Sequence, residues 1–167
     1  MDEAIKVKEY LKIDEIYCLN LECQKVNGND QNLFHQLIKY IRRLKPELVI
    51  THLKNDKHKD HRNTNLAVVE ACWKAQENLL IELGECHKVK DIWGMEVLDI
   101  ENIDYVLDIT NELNYKINAM NIYNSQLKLM NNINSHITGL AMVRGYQIGC
   151  KYGEGFKRIS TMPLMIN

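Results

Sequence analysis

The chain has 167 residues of mixed composition and a formal net charge of −1. That size suits one soluble globular domain, 1–167, with a sizeable core. The near-neutral balance gives no reason to expect nucleic acid or an anionic membrane surface as partner, and no apolar run approaches the roughly 20 residues of a membrane span.

Residues 1–6, Met-Asp-Glu-Ala-Ile-Lys, begin as an acidic amphipathic helix rather than as a signal peptide. Five cysteines, at 18, 23, 72, 86 and 150, form no Cys-x-x-Cys pair. The odd count argues against a disulfide framework or zinc ribbon and for a reducing, cytoplasmic setting. Cys18 and Cys72 lie in apolar patterns and read as small core residues.

Ala4, Ile5, Val7 and Leu11 share a helical stripe over residues 2–11. Lys12-Ile13 turns the chain into an expected strand at 15–19. A polar loop follows at 20–30, and Asp30 is a good N-cap for a helix to Leu44 whose Leu33, Leu37, Ile38 and Ile41 face inward. His35 on that helix reads as structural. Lys45-Pro46 ends the helix. The β-branched run 48–50 reads as a short buried strand, and a polar loop carries it into a helix starting near Asp60 or His61. On that helix Leu66, Val69, Trp73 and Leu80 give an apolar stripe, and Gly84 breaks it. Residues 91–98 and 105–109 read as strands. Trp93 is a core or pocket-lining residue. Thr110 or Asn111 caps a helix to Leu127, and a last helix spans about 133–149. No internal repeat, low-complexity stretch or linker interrupts the chain. Strands alternating with helices predict an α/β fold with a mostly parallel sheet.

The chemistry-bearing stretch is Thr51-His52 followed by Asp56-Lys57-His58-Lys59-Asp60-His61-Arg62. It sits where open α/β sheets bind ligands, beyond the carboxyl end of a strand. His58 and His61, spaced i, i+3, share a helix face. A neutral imidazole binds zinc, a second can stabilise or protonate an intermediate, and Asp60 can orient an imidazole. The bland alternative is a solvated, lysine-rich loop with chance histidines.

This passage resembles the second motif, D-x-H-x-D-H, of the PIG-L/LmbE-like zinc-dependent N-deacetylases. Asp56, His58, Asp60 and His61 match it, and Lys59 stands where proline is common. Further likenesses are Glu3-Ala4 to "R-x-x-E-a", Leu11-Lys12-Ile13 to "LGi", Lys45-Pro46-Glu47 to "rPd", Val106 to Thr110 to "vDIT", Lys116 to Gln126 to "K-x-x-A-x-x-x-y-x-S-Q", and Tyr152 to Phe156 to "yaEaF". The resemblance implies a Rossmann-like three-layer sandwich and a zinc hydrolase that removes the acetyl group from an N-acetylglucosamine-type sugar or conjugate. It implies His61 as zinc ligand, His58 as the catalytic group that polarises the intermediate or protonates the leaving amine, and Asp60 as the catalytic-site residue orienting an imidazole. Arg62 faces either an anionic part of the substrate or a surface carboxylate. Gln126 and Glu154 are either substrate-pocket residues or structural hydrogen-bonding groups.

The family's A-H-P-D-D-E strand, which supplies two zinc ligands and the general base, has no counterpart here. The sequence contains no Asp-Asp and no His-Pro pair. The expectation is therefore a sheet truncated at the N-terminus, its first strand missing, and a chain inactive alone. Such a chain seeks a complementing N-terminal segment or a homo-oligomer to cover its open edge. The alternative is a non-catalytic remnant that binds a sugar or a partner. A substitute metal site from His52, Asp56, His58 and His61 is a further candidate, opposed by Lys54, Lys57 and Lys59. Metal phosphohydrolases with adjacent His-Asp ligands fit poorly, because the order here is Asp60-His61.

Overall fold

A computed structural model of the chain describes residues 2–159. In chain order the elements are α1 (Asp2–Leu11), α2 (Gln31–Leu44), β1 (Leu48–His52), α3 (Lys59–Ala75), a 3₁₀ turn at Ile81–Leu83, β2 (Asp91–Met95), β3 (Tyr105–Asp108), α4 (Leu113–Ile122), α5 (Asn124–Leu127), α6 (Ile133–Ile148) and β4 (Gly153–Arg158). The fold is thus mixed α/β, with six α-helices among the described residues.

The strands form one sheet in the order β1-β2-β4-β3. β1 and β2 run parallel, Leu48 against Asp91 through His52 against Met95. β4 runs antiparallel to β2, with Trp93 opposite Arg158 and Met95 opposite Phe156. The Asp104 N–H donates to the Phe156 carbonyl and the Ile109 N–H to that of Tyr152, so β3 and β4 are antiparallel too. The expected mostly parallel sheet is corrected: one pair is parallel and the rest are antiparallel. The reason is β4, which does not announce itself as a strand and inserts between β2 and β3. Alternation of strands and helices does not by itself fix the direction in which the last strand returns. Gly153 makes the insertion possible, because a Cβ there would lie 2.6 Å from Val106 Cγ1 and 2.9 Å from the Gly145 nitrogen.

The chain divides into two compact units, Met1–Asn20 with Val106–Gly155, and Leu21–Tyr105 with Phe156–Asn167. In the second unit, Asp30 Oδ1 caps α2 by accepting the Leu33 N–H at 2.7 Å. Lys45 closes that helix in the left-handed region, φ 47°, with its N–H on the Ile41 carbonyl. Ile38 and Ile41 of α2 pack on Ala71, Cys72 and Ala75 of α3 and Ile92 of β2. This corrects the expected α3 stripe in part: Leu66 and Trp73 are 48 % and 41 % exposed, while Val69, and Leu80 from beyond the end of the helix, pack against this core. Small side chains let two helices approach closely, so the alanine face, not the bulky one, turns inward.

Arg42 joins this core from α2 and is 2 % exposed. Its Nε–H donates to the Ala75 carbonyl, Nη1 to those of Leu80 and Gly84, and Nη2 to those of Lys74, Glu77 and Leu79. The guanidinium therefore satisfies the end of α3 and the whole turn beyond it.

In the first unit, Ile109, Leu113 and Ala141 form the core, with Ile117, Ile137 and Tyr152 against it. Glu3 of α1 accepts from the Ser125 N–H and hydroxyl, and those bonds hold its carboxyl below the usual range. Residues 15–19 form no strand, and Cys18 is exposed rather than core. A strand needs a neighbour to satisfy its backbone, and no sheet partner for 15–19 occurs among the described residues. The expected helix to Leu127 is split at Tyr123 into α4 and α5, and its N-cap is Glu112. Thr110 does other work: its Oγ1 accepts the Tyr152 N–H at 3.3 Å.

Candidate functional site

The site grows from the link between β1 and α3, within the second unit. Asp56 is 3 % exposed. Its Oδ1 accepts the His58 N–H at 2.7 Å, and its Oδ2 lies 2.9 Å from His61 Nδ1. One short carboxylate thus fixes both histidines. His58 is the N-cap of α3, with Nδ1 accepting the Asp60 N–H at 3.2 Å. Arg62 Nη1 donates to the carbonyls of Asp56 and Lys57, bracing the loop from the next turn. Asn65 Nδ2 donates to the His52 carbonyl at 2.7 Å and ties α3 to the end of β1.

Three imidazoles stack in a row. His52 and His61 centroids are 4.1 Å apart with 24° between planes, and His58 and His61 are 4.6 Å apart with 30°. Burial, then the neighbouring His61, holds the His52 imidazole down to about 4, so it is neutral near pH 7. Near-parallel rings send their in-plane lone pairs side by side. The substitute set of His52, Asp56, His58 and His61 therefore does not converge on one point.

A different set does converge. Asp60 is 9 % exposed; its Oδ2 accepts the Gln24 N–H at 2.6 Å, and its Oδ1 is buried with no hydrogen-bond partner. The loop carrying Gln24 is pinned along α3, with the Gly28 N–H on Asn63 Oδ1 at 3.1 Å. A Cβ at Gly28 would lie 2.8 Å from Leu66 Cδ2 and 2.9 Å from the Asn63 carbonyl, so glycine permits this close course. That course brings Cys23 to the start of α3. Donor atoms of Cys23, His58 and Asp60 all lie within 4.8 Å of one another, the one such group of three among the described residues.

Of the residues expected from sequence, His58, Asp60, His61 and Arg62 come together in the cap and first turn of α3. Gln126, in α5, and Glu154, in β4, belong to the other unit. Glu154 Oε1 pairs with Lys116 Nζ at 2.5 Å, so it has a structural partner. Sequence reasoning passed over Asn65 and Arg42, whose partners are backbone carbonyls that no motif encodes. It passed over Cys23 because the loop that delivers it carries no periodic signal.

Among solved structures the chain is similar to the conserved protein TT1542 from Thermus thermophilus (TM-score 0.86, 20 % identity, covering 99 % of this chain and 74 % of that one). It is also similar to the N,N'-diacetylchitobiose deacetylase from Pyrococcus horikoshii (TM-score 0.83, 22 % identity, 98 % of this chain and 66 % of that one). A third likeness is to GalB, the 4-carboxy-2-hydroxymuconate hydratase from Pseudomonas putida (TM-score 0.76, 22 % identity, 99 % and 73 %). These likenesses establish a shared fold. Residues 1–72 match the PIG-L family, described as GlcNAc-PI de-N-acetylase, which is the family the histidine motif resembles. No curated protein matches the sequence.

Proposed function

We propose that the chain carries part of a deacetylase-type hydrolase site on a Rossmann-like frame, acting on an N-acetylated amino sugar or conjugate with zinc as cofactor. The observation that carries this reading is the Asp56–His61 pair at 2.9 Å inside the family-matched segment. Zinc-binding histidines usually give their other ring nitrogen to a carboxylate, and the pairing of Nδ1 with Asp56 leaves His61 Nε2 as the donor for the ion. A single imidazole is a zinc-type donor but holds the ion only weakly by itself; zinc, when bound, would polarise the acetyl carbonyl and acidify a water.

The chain's own residues then divide the work. Asp56 holds the tautomer and direction of His61. His58, locked at Nδ1 by the Asp60 N–H, presents Nε2 to stabilise the tetrahedral oxyanion or to protonate the departing amine. Asp60 fixes the start of the helix that carries both histidines. Arg62 keeps the 56–57 loop in place and is available to an anionic substituent of the substrate. Gln126 and Glu154 keep their two readings, substrate-pocket or structural, each within its own unit, and the ion pair of Glu154 with Lys116 supports the structural one. Five free cysteines support a reducing, cytoplasmic setting, and no helix among the described residues is long and apolar enough to cross a membrane.

These 167 residues offer no His-Pro-Asp-Asp passage, so no turnover is expected from the chain alone. The test is acetate release from N-acetylglucosamine derivatives, with and without an added peptide segment bearing that motif. Restored turnover supports the reading, and His58→Ala should then lower kcat by about 100–1000-fold. Binding of the sugars with no turnover under either condition would favour the second reading, a non-catalytic module.

A further inference from the structure

We propose that a cleft beside α2 and α3 binds a small organic cation, a primary ammonium group on a compact apolar body. The cleft shares no residue with the Asp56–His61 site, and the proposal does not rest on the deacetylase reading.

The cleft holds about 360 Å³ and opens between the 28–31 loop, the start of α2 and the outer face of α3. That volume is at the small end of the roughly 300–1,000 Å³ of small-molecule sites. Its walls are already fixed. Phe34 packs against the α2–α3 core, and the His35 ring lies 5.9 Å from it, centroid to centroid. The loop is held by the Gly28 N–H on Asn63 Oδ1 and the Asn29 N–H on Asn27 Oδ1, both at 3.1 Å. Glycine at 28 lets that loop lie against Leu66, which is still 48 % exposed. Phe34 and Leu66 thus present apolar surface to the cleft without any rearrangement of the backbone.

Charge decides the ligand. Glu70 follows Leu66 at i+4, so both line the cleft from one face of α3. The Glu70 carboxylate has no hydrogen bond or ion pair among the described residues, and no lysine or arginine lines the cleft. The start of α2, where an anion could otherwise settle, is already capped by the Asp30 carboxylate. An anionic ligand would meet these two carboxylates with no lysine or arginine to balance them. A cation is met by one of them directly. The side-chain amide oxygens of Asn29 and Gln31 add neutral acceptors for N–H groups, which a primary ammonium has and a quaternary nitrogen lacks. The hydrocarbon body of such a ligand is matched by Phe34 and Leu66.

The probe is 2-phenylethylammonium, titrated into the ¹⁵N-labelled full chain at neutral pH and followed by amide NMR. The neutral and anionic counterparts are 2-phenylethanol and phenylacetate. The expected result is saturable shifts at the Gly28, Gln31, Leu66 and Glu70 amides with the ammonium. The alcohol should bind about tenfold more weakly or worse, and phenylacetate should not bind there. Glu70→Gln should weaken the ammonium by about tenfold and leave the alcohol unchanged, which a merely structural effect would not do. Glu70 is exposed, so its variant keeps the fold. Glu82→Gln, which removes an exposed carboxylate outside the cleft, should leave the affinity as it was. No saturation by the ammonium, binding of phenylacetate at the same amides, or undiminished affinity in Glu70→Gln overturns the proposal. So does saturation centred on the amides of residues 56–61, which would place the cation at the histidine site. None of these readouts measures acetate release.

Discussion

Asp56 is almost wholly buried and holds two groups at once, the His58 N–H and His61 Nδ1. Replacing it by alanine leaves both without a charged acceptor, and hydrogen bonds to charged groups are each worth about 1.5–3 kcal/mol. Asp56→Ala should cost about 2 kcal/mol or more in urea unfolding. ¹⁵N NMR should show His61 protonated at Nδ1 in the parent and no longer fixed there in the variant. An unchanged His61 spectrum would remove Asp56 from its orienting role. Arg42 is the second such residue. Six carbonyls converge on a guanidinium with almost no exposure; those of Lys74, Ala75 and Leu80 also accept backbone N–H groups, so Arg42→Met would take the guanidinium from all six and leave those of Glu77, Leu79 and Gly84 most in need of a partner. A loss of about 3 kcal/mol or more is expected, and Arg42→Lys should recover only part of it, because an ammonium lacks the planar fork. Equal stability of the lysine variant and the parent would show that charge alone suffices.

At the scale of elements, the packing of α2 on α3 makes a thiol the reporter. Cys72 sits among Ile38, Ile41, Ala71 and Ala75, and burial pushes its pKa up to about 12. The unfolded chain ionises that thiol near pH 9 and the folded chain does not. Its contribution to stability is therefore complete below about pH 9 and is lost as pH rises from there towards 12. Cys18, Cys23 and Cys86 are exposed. A disulfide reagent at neutral pH should label those three quickly and reach Cys72 only on unfolding. Fast labelling of Cys72 in the native chain would mean that the α2–α3 face opens locally. The same face shows where periodicity misleads. Leu66 and Trp73 of the apolar stripe face outward while Val69 packs beside the alanines on this core, because closeness of approach decided the packing rather than hydrophobic bulk.

At the scale of the whole molecule, β1 ends the sheet with Leu48 and Ile50 38 % and 47 % exposed. An apolar edge strand is a template for pairing with another strand. The chain should therefore self-associate at high concentration, and Ile50→Lys should shift sedimentation towards the monomer without lowering Tm by more than a few degrees. A parent that stays monomeric at high concentration would show that the edge is not a pairing surface.

Sequence alone determined the local features. Asp30 caps α2 because a short carboxylate reaches the N–H three residues on, and Lys45-Pro46 stops it because proline bars the preceding residue from helix. The run 48–52 forms β1, and the Asp56-His58-Asp60-His61 spacing sets its donors on the loop and first turn that follow, since all four lie within one short stretch of backbone. Tertiary structure decided what depends on distant neighbours. It placed β4 between β2 and β3 and turned most of the sheet antiparallel, because strand direction is chosen by pairing and not by pattern. It left 15–19 without a strand, since no neighbour among the described residues meets that backbone. It carried Cys23 across a long stretch of sequence to His58 and Asp60, through backbone bonds at Gln24 and Gly28 that no spacing rule contains.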